Sequence, residues 1–188
     1  MDRLTVACVN VGNYLGRGEE YVRKLRAGVQ WHLSIPHEFV CIEQSDKPGW
    51  WAKIDLFQPG RFEGRVLYLD LDTVIVGPLE PVVERTGILH LQDWGWTRND
   101  YGSGIMVWDA GEHAEIYERF TPAVMDQFRG DQDWLTHLGG WDALRKGLNV
   151  SYRYESRQAP PAGASTVSFH GTPKPHEVTD GWVPKVWI

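Results

Sequence analysis

The chain has 188 residues, enough for one domain to bury a substantial core without disulfide bonds or a structural metal. Its formal net charge is −6, with acidic and basic residues interspersed, so it lacks the basic patches that nucleic-acid backbones require. No apolar run approaches the ~20 residues of a transmembrane helix, whereas a peripheral membrane or protein partner stays open.

Strands and helices are predicted to alternate along the chain, as in α/β proteins. The predicted strands are 4–9, 37–42, 65–70, 73–76, 87–91, 104–108 and 167–169. The predicted helices are 19–32, 50–57, 112–127 and 131–138, with Asp131 as the cap of the last. Because neither a repeat nor a domain boundary is visible, we expect a single domain over 1–188.

Cys8 and Cys41 lie in two of the predicted strands, and the chain begins without the charged, apolar and cleavage regions of a secretory signal. Free cysteines in apolar stretches are usually buried thiols, and they are typical of a reducing compartment. We therefore expect a cytoplasmic protein.

Two carboxylates, Asp70 and Asp72, directly follow the apolar run 66–69. Side chains at i and i+2 of an extended segment lie on the same side, so both carboxylates can face one point. Burying two unpaired acids is costly, whereas Mg²⁺ and Mn²⁺ favour carboxylate oxygens together with substrate phosphates. The pattern predicts a metal–phosphate site. The alternative is a solvated turn whose acids only terminate the strand.

The tail segment 169–175 favours the metal site over the solvated turn. His170 follows a predicted strand and precedes Gly171, with Lys174 four residues on. A neutral imidazole is a suitable third ligand for Mn²⁺, and a lysine ammonium is a suitable partner for a phosphate. Glycine permits close approach of the backbone to a ligand.

Five ordered stretches make the chain resemble the retaining glycosyltransferases of family 8, which include glycogenins and bacterial lipopolysaccharide galactosyltransferases. These stretches are 6–14, 51–57, 66–73, 101–106 with 130–133, and 169–175. The resemblance implies a GT-A fold, a Rossmann-like mixed sheet flanked by helices. It also implies transfer of a hexose, with retention, from a nucleoside diphosphate sugar to a sugar or glycan acceptor, and through the family it points to UDP as the nucleotide.

The resemblance also implies residue roles. Asp70, Asp72 and His170 would hold Mn²⁺ or Mg²⁺. Gln132 would lie beside the anomeric carbon, Asp131 would hold sugar hydroxyls, and Lys174 would stabilise the leaving diphosphate. The remaining nucleotide-sugar contacts would come from Val9, Asn10, Tyr14, Lys53, Leu71 and Gly171.

Acceptor binding is predicted from the aromatic content, because the chain has ten tryptophans and sugars present apolar C–H faces to aromatic rings. Trp94 and Trp96, with Asp100 nearby, are the candidates for an acceptor platform. Trp50, Trp51, Trp108 and Trp134 are predicted to pack in the interior. Gly102 stands where the family usually has an asparagine, which places that residue's sugar contact in doubt.

Two other functions remain open from the sequence. One is a non-catalytic nucleotide-sugar or glycan-binding module on a GT-A scaffold, which the short chain and Gly102 favour. The other is a haloacid-dehalogenase-like phosphatase, whose first motif resembles residues 66–73. That enzyme class places the motif near the start of its core domain, whereas here the strand is the third.

Overall fold

The computed structural model describes residues 3–91 and 101–188. Its main sheet has five strands in the order β2-β1-β3-β6-β5, and the predicted mixed α/β architecture is confirmed. The pairs β1–β2 and β1–β3 are parallel, whereas β3–β6 and β5–β6 are antiparallel. These strands are β1 (Leu4–Val9), β2 (Glu38–Ile42), β3 (Arg65–Leu69), β5 (Gly87–His90) and β6 (Tyr101–Asp109).

Both faces of the central strands are buried, which explains their nearly continuous apolar sequences. In β3, Leu67 and Leu69 pack into one hydrophobic core, while Val66 and Tyr68 pack into the other. The first core lies between the sheet and the long helix α1 (Gly18–His32), and the second includes the 3₁₀ helix Gly49–Phe57. The site-bearing strand β3 is therefore fixed from both sides.

A second, three-stranded sheet has the order β4-β8-β7, in which β8 pairs antiparallel with β4 and parallel with β7. The strands are β4 (Thr73–Ile75), β7 (Asn149–Ser151) and β8 (Thr166–Ser168). Thr73 pairs with Ser168, so the chain just before β4 meets the chain just after β8. This pairing brings Asp72 toward His170, although the two are far apart in sequence.

The remaining α-helices are short, and the longest of them has eight residues. They are α2 (Glu80–Val83), α3 (Glu115–Glu118), α4 (Pro122–Gln127), α5 (Asp131–Leu138), α6 (Tyr152–Glu155) and α7 (Val183–Val186), with 3₁₀ turns at Tyr14–Gly16 and Pro175–Glu177. Among the described residues, no helix combines the length and the apolar character needed to cross a membrane.

Two helix predictions were wrong. The predicted helix 112–127 is divided into α3 and α4, because Pro122 has no backbone N–H and disfavours helical geometry at Thr121, whose φ and ψ are −135° and 162°. Asp131 does not cap α5: Gly130 is the N-cap, and Asp131 is already helical. Its carboxylate instead faces Lys53. The strand β7 and the helices α2, α6 and α7 were not predicted.

Candidate active site

A cleft of about 700 Å³ opens where β1 and β3 end and the tail loop after β8 begins. Ligands of open α/β sheets commonly bind beyond the carboxyl ends of the strands. The predicted site residues that line the cleft are Val9, Tyr14, Lys53, Asp70, Leu71, Asp72, Asp131, Gln132, His170, Gly171 and Lys174. Five segments distant in sequence therefore converge on one cavity.

Lys53 is the centre of a largely buried charged group on the large-sheet side of the cleft, in which the Asp70 side chain is 30% exposed. Its ammonium lies 2.8 Å from Asp70 Oδ1 and 3.2 Å from Asp131 Oδ2, and it donates to Ser103 Oγ at 3.1 Å. Tyr68 adds a hydroxyl that donates to Asp70 Oδ1 at 2.6 Å. We call Lys53, Tyr68, Asp70, Ser103 and Asp131 the Lys53 cluster.

The electrostatics of the Lys53 cluster keep its lysine charged. Burial lowers the pKa of Lys53, but the carboxylates of Asp131 and Asp70 outweigh burial and raise it above its ordinary value. Burial, followed by the charge of Asp70, also raises the pKa of Tyr68, so its hydroxyl stays a donor. The cluster is thus one ammonium between two carboxylates.

Asp131 keeps unused hydrogen-bonding capacity. Its Oδ2 pairs with Lys53 as an ion pair, but within the described residues it receives no hydrogen bond of good geometry. Because Asp131 is only 5% exposed, this oxygen is a buried acceptor that lines the cleft. A ligand hydroxyl that donated to it would satisfy a group that is costly to leave unpaired.

Lys174 forms the second charged group, on the tail side of the cleft. Its ammonium donates to Asp72 Oδ2 and, at 3.0 Å, to the carbonyl oxygen of Phe169. The Tyr14 hydroxyl donates to the same carboxylate oxygen at 2.8 Å. We call Tyr14, Asp72 and Lys174 the Lys174 cluster. Gly171 supplies the turn before Lys174 with a φ of +73°, which favours glycine.

The two clusters influence each other through their carboxylates. Burial raises the pKa of Asp72, and the charge of Asp70 raises it further, against the opposing effect of Lys174. Burial and the Asp72 charge raise the pKa of Tyr14. Two like charges therefore face one region of the cleft, a condition that a bound cation would relieve.

His170 lies beside this region and bonds through Nε2 to Ser151 Oγ at 2.7 Å. Ser151 pairs with Ser168, the last residue of β8, and this parallel pairing brings the Ser151 hydroxyl close to His170, two residues further along the chain. Burial, with a smaller effect of Arg153, lowers the pKa of His170 and so favours the neutral imidazole. Ser151 was not predicted, because strand β7 was not.

Within residues 3–91 and 101–188, no three His, Cys, Asp or Glu side chains are grouped closely enough to hold a metal ion. Lys53 and Lys174 instead pair with the two carboxylates. The donor chemistry nevertheless fits a divalent cation: in the described structure, Asp70 Oδ2 and Asp72 Oδ1 accept no hydrogen bond. With a neutral imidazole nearby, this is an oxygen and nitrogen donor set that Mn²⁺ accepts. The metal role of Asp70, Asp72 and His170 stays a prediction.

Gln132 lines the cleft next to Asp131, and its Oε1 accepts from the backbone N–H of Ser103 at 3.3 Å. This bond joins α5 to β6. Gly102 is explained by packing, because a Cβ there would lie 2.7 Å from Leu91 Cδ2 and 3.2 Å from Leu89 Cδ2. The two leucines fill the space that a side chain at position 102 would need, so the cleft has an apolar wall there.

Other predicted residues are placed differently. Asn10 is not among the described cleft-lining residues: its Oδ1 accepts from the N–H of Tyr14 at 3.1 Å and so shapes the loop. The acceptor candidates Trp94, Trp96 and Asp100 lie outside the described residues.

Most of the predicted interior tryptophans are confirmed: Trp51, Trp108 and Trp134 are at most 6% exposed. Trp50 was wrongly predicted to pack inside, because it is 57% exposed and lines the cleft. The turn dipeptide Pro48-Gly49, directly before the predicted helix 50–57, was the signal available in the sequence, because it places Trp50 at the end of the helix.

The architecture is similar to that of solved glycosyltransferases. Glycosyltransferase GlyE of Streptococcus pneumoniae TIGR4 matches with a TM-score of 0.68 over 98% of this chain and 60% of its own, at 15% identity. Galactosyltransferase LgtC, in complex with donor and acceptor sugar analogs, matches with a TM-score of 0.61 over 91% of this chain and 88% of its own, at 14% identity. An active-site mutant of LgtC gives a TM-score of 0.62 at 13% identity.

The chain therefore has the GT-A glycosyltransferase fold, and it spans about 60% of the length of GlyE. A haloacid-dehalogenase-like phosphatase requires a different fold, so that alternative loses its support. No protein-family model matches the sequence, and no curated protein matches it either.

Proposed function

We propose that this chain, as one GT-A domain over 1–188, is a metal-dependent glycosyltransferase that moves a hexose from a nucleoside diphosphate sugar, UDP in the first instance, to an acceptor with retention. The observation that carries the proposal is the convergence of Asp70, Asp72 and His170 with Lys174 and the Asp131–Gln132 pair on one cleft. The GT-A fold supports it.

The charge of the cleft supports the need for a cation. Its described lining contains four carboxylates (Asp70, Asp72, Asp131 and Asp133) and three permanent cations (Lys53, Arg129 and Lys174). Each of these cations is already paired with a lining carboxylate. A diphosphate would enter a site with no surplus positive charge, and Coulomb repulsion from Asp70 and Asp72 would oppose it.

Asp70, Asp72 and His170 would hold Mn²⁺ or Mg²⁺, which when bound supplies positive charge to the phosphate oxygens. Lys174 would then leave Asp72 for the diphosphate, where its ammonium stabilises the charge that develops as the diphosphate departs. Ser151 would keep the His170 imidazole oriented. Tyr14, Val9 and Leu71 would border the nucleoside.

The hexose would lie against the Lys53 cluster. The unsatisfied Asp131 Oδ2 would accept a hydrogen bond from a sugar hydroxyl. Gln132 accepts a hydrogen bond from the Ser103 N–H, which would hold its side-chain amide near the anomeric carbon. The amide is a neutral, polar group. Interactions stronger in the transition state than in the ground state raise the rate, so Gln132 is expected to affect turnover more than affinity.

The first experiment is a thermal-shift screen of nucleoside diphosphate sugars with and without Mn²⁺. A ligand at a hundredfold excess over its Kd stabilises the native state by about 2.7 kcal/mol. We expect stabilisation by a UDP-hexose only with Mn²⁺, and none for Asp72→Asn. Asp126→Asn is the charge-matched control, because Asp126 is exposed and is not among the cleft-lining residues described.

Turnover separates a transferase from a binding module. We expect slow release of sugar from the best donor, and we expect Gln132→Ala to keep calorimetric affinity for UDP and Mn²⁺ while losing most of this release. NMR of the product anomer tests retention. A wild-type protein that binds donor but neither hydrolyses nor transfers it would instead identify a nucleotide-sugar-binding module.

A further inference from the structure

Trp50 is the one large apolar side chain of the described cleft lining that is mostly exposed, at 57%. It precedes Lys53 by three residues in the 3₁₀ helix Gly49–Phe57, and residues i and i+3 of such a helix lie one above the other. The Lys53 side chain is only 13% exposed, so Trp50, at 57%, lies on the same helical face but nearer to solvent. The indole therefore forms part of the rim.

The indole is held in place by the segment that carries the predicted catalytic pair. A Cβ on Gly130 would lie 3.0 Å from Trp50 Nε1, so the ring packs closely against the backbone just before Asp131. Arg129 and Asp133 flank this contact and form a two-point ion pair of 2.7 and 3.0 Å. An aromatic ring bordered by charged hydrogen-bonding groups fits the amphipathic faces of a sugar.

We propose that Trp50, with Arg129 and Asp133, forms an acceptor subsite that stacks a pyranose ring of a carbohydrate acceptor. The inference rests on the proposed function and deepens it by naming the acceptor as a glycoside. The indole covers the apolar C–H face of the ring, and the ion pair receives and donates hydrogen bonds at its hydroxyls.

The position favours the acceptor over the donor. The donor's phosphates are assigned to the Lys174 side, and its hexose to the buried Lys53 cluster. The acceptor has to approach the anomeric carbon from solvent, and Trp50 lies on the solvent side of Lys53 while contacting the backbone next to Asp131 and Gln132.

The first test measures sugar binding without turnover. Saturation-transfer NMR would use the methyl glycosides of galactose, glucose and mannose, in the presence of UDP and Mn²⁺. We expect ring protons of at least one glycoside to receive saturation from wild type and from Trp50→Phe, and not from Trp50→Ala. The control is Trp31→Ala, because Trp31 is 79% exposed and is not part of the described lining.

The second test measures kinetics with the glycoside that binds. Trp50→Ala should raise the acceptor KM about tenfold, equivalent to about 1.4 kcal/mol, while the donor KM moves less than twofold. Trp50→Phe should recover most of the acceptor affinity. Near-UV circular dichroism checks that each variant is folded.

The outcomes separate the subsite from the proposed function. If no glycoside binds wild type, or if Trp50→Ala binds and uses it normally, the subsite is wrong even where donor hydrolysis continues. A parallel rise of donor and acceptor KM would assign Trp50 to the donor and also overturn the inference. Glycoside binding that depends on Trp50, in a protein that binds no nucleotide sugar, would support the subsite and refute the proposed transferase.

Discussion

The Lys53 cluster and the Lys174 cluster each pair a lysine with a carboxylate of the Asp70–Asp72 segment, but the protein holds them in different ways. Lys53 and Asp131 have side chains only 13% and 7% exposed, and they lie on elements packed against the main sheet. Lys174 and Asp72 are 102 residues apart in sequence and meet because the tail loop is positioned by β8. They are also somewhat more exposed than Lys53 and Asp131, at 18% and 15%.

This difference indicates two roles: the Lys53 cluster supports the folded structure, whereas Lys174 can exchange Asp72 for a ligand. Lys53 and Asp131 are largely desolvated and compensate each other's charge, so removing one leaves the other without its partner. The Lys174 pair joins two loops, and its lysine can change partners at little cost to the core. We therefore expect the first cluster to determine stability as well as activity, and the second to determine mainly activity.

The largest expected effect is on stability, from Lys53→Met. Breaking a buried ion pair from one side costs about 3–5 kcal/mol, because Asp131 would lose its cation. Urea denaturation measures this loss. The double variant Lys53→Met with Asp131→Asn should recover part of it, since the second change removes the uncompensated charge. A loss below about 1 kcal/mol in the single variant would contradict the role of the Lys53 cluster in supporting the folded structure.

Lys174→Met should have the opposite profile. Loss of one preorganised charge stabiliser costs about 10²–10³ in rate. The free energy of unfolding should fall by less than in Lys53→Met, because Lys174 and Asp72 lie on loops and not on elements packed against the main sheet. Mn²⁺ affinity should not weaken, because the ammonium lies on Asp72 and competes with a cation there. Calorimetry with Mn²⁺ and donor-hydrolysis rates measure the two effects. Equal losses of stability and rate would remove the distinction between the clusters.

The sequence predicted the two clusters unequally, for physical reasons. Local patterns identified β3 and the acids after it, because burial on both faces gives a continuous apolar run. The contact of Lys53 with Asp131 was not predicted: Asp131 has the sequence position of a helix cap, and only the packing of α5 beside Gly49–Phe57 directs its carboxylate to Lys53. Periodicity carries no information about such long-range choices.

The tail side shows the same limit. His170 and Lys174 were identified from their chemistry after a predicted strand, but Ser151 was not, because β7 has only three residues and too little periodicity to recognise. Trp50 was assigned to the interior with its neighbour Trp51, although adjacent residues of a helix point in different directions. The sequence therefore identified the ligand-binding groups of the site, such as His170 and Lys174. It did not identify Ser151, which holds His170 in place.

Ser151→Ala tests whether the Ser151 hydroxyl orients His170 for metal binding. The hydroxyl bonds His170 Nε2 at 2.7 Å, and loss of a partner that orients a ligating histidine typically costs 10–100-fold in metal affinity. We expect Mn²⁺ affinity to fall within that range, as measured by calorimetry. Ser165→Ala is the matched control, since Ser165 is equally buried but is not among the described lining residues. An unchanged Mn²⁺ affinity would contradict the role of a Ser151-oriented His170 as a metal ligand.

The smallest effect concerns the opposite end of β3, where Arg65 donates two hydrogen bonds to Asp109, at 2.8 and 2.9 Å. These bonds lower the pKa of the Asp109 carboxyl. A carboxyl with a lowered folded-state pKa contributes its stabilisation above its unfolded pKa of about 3.9, and loses it as the pH falls through the folded value. Asp109 is 48% exposed, so the contribution should be at most about 1 kcal/mol.

Asp109→Asn should therefore lower the free energy of unfolding slightly at pH 7, and the difference from wild type should shrink below pH 4. Urea denaturation at several pH values measures it, with Asp126→Asn as the exposed control that shows no such pH dependence. Donor hydrolysis should stay at the wild-type rate, because this ion pair lies at the end of β3 away from Asp70. A large fall in hydrolysis would mean that the whole strand, and not its carboxyl end alone, is coupled to the site.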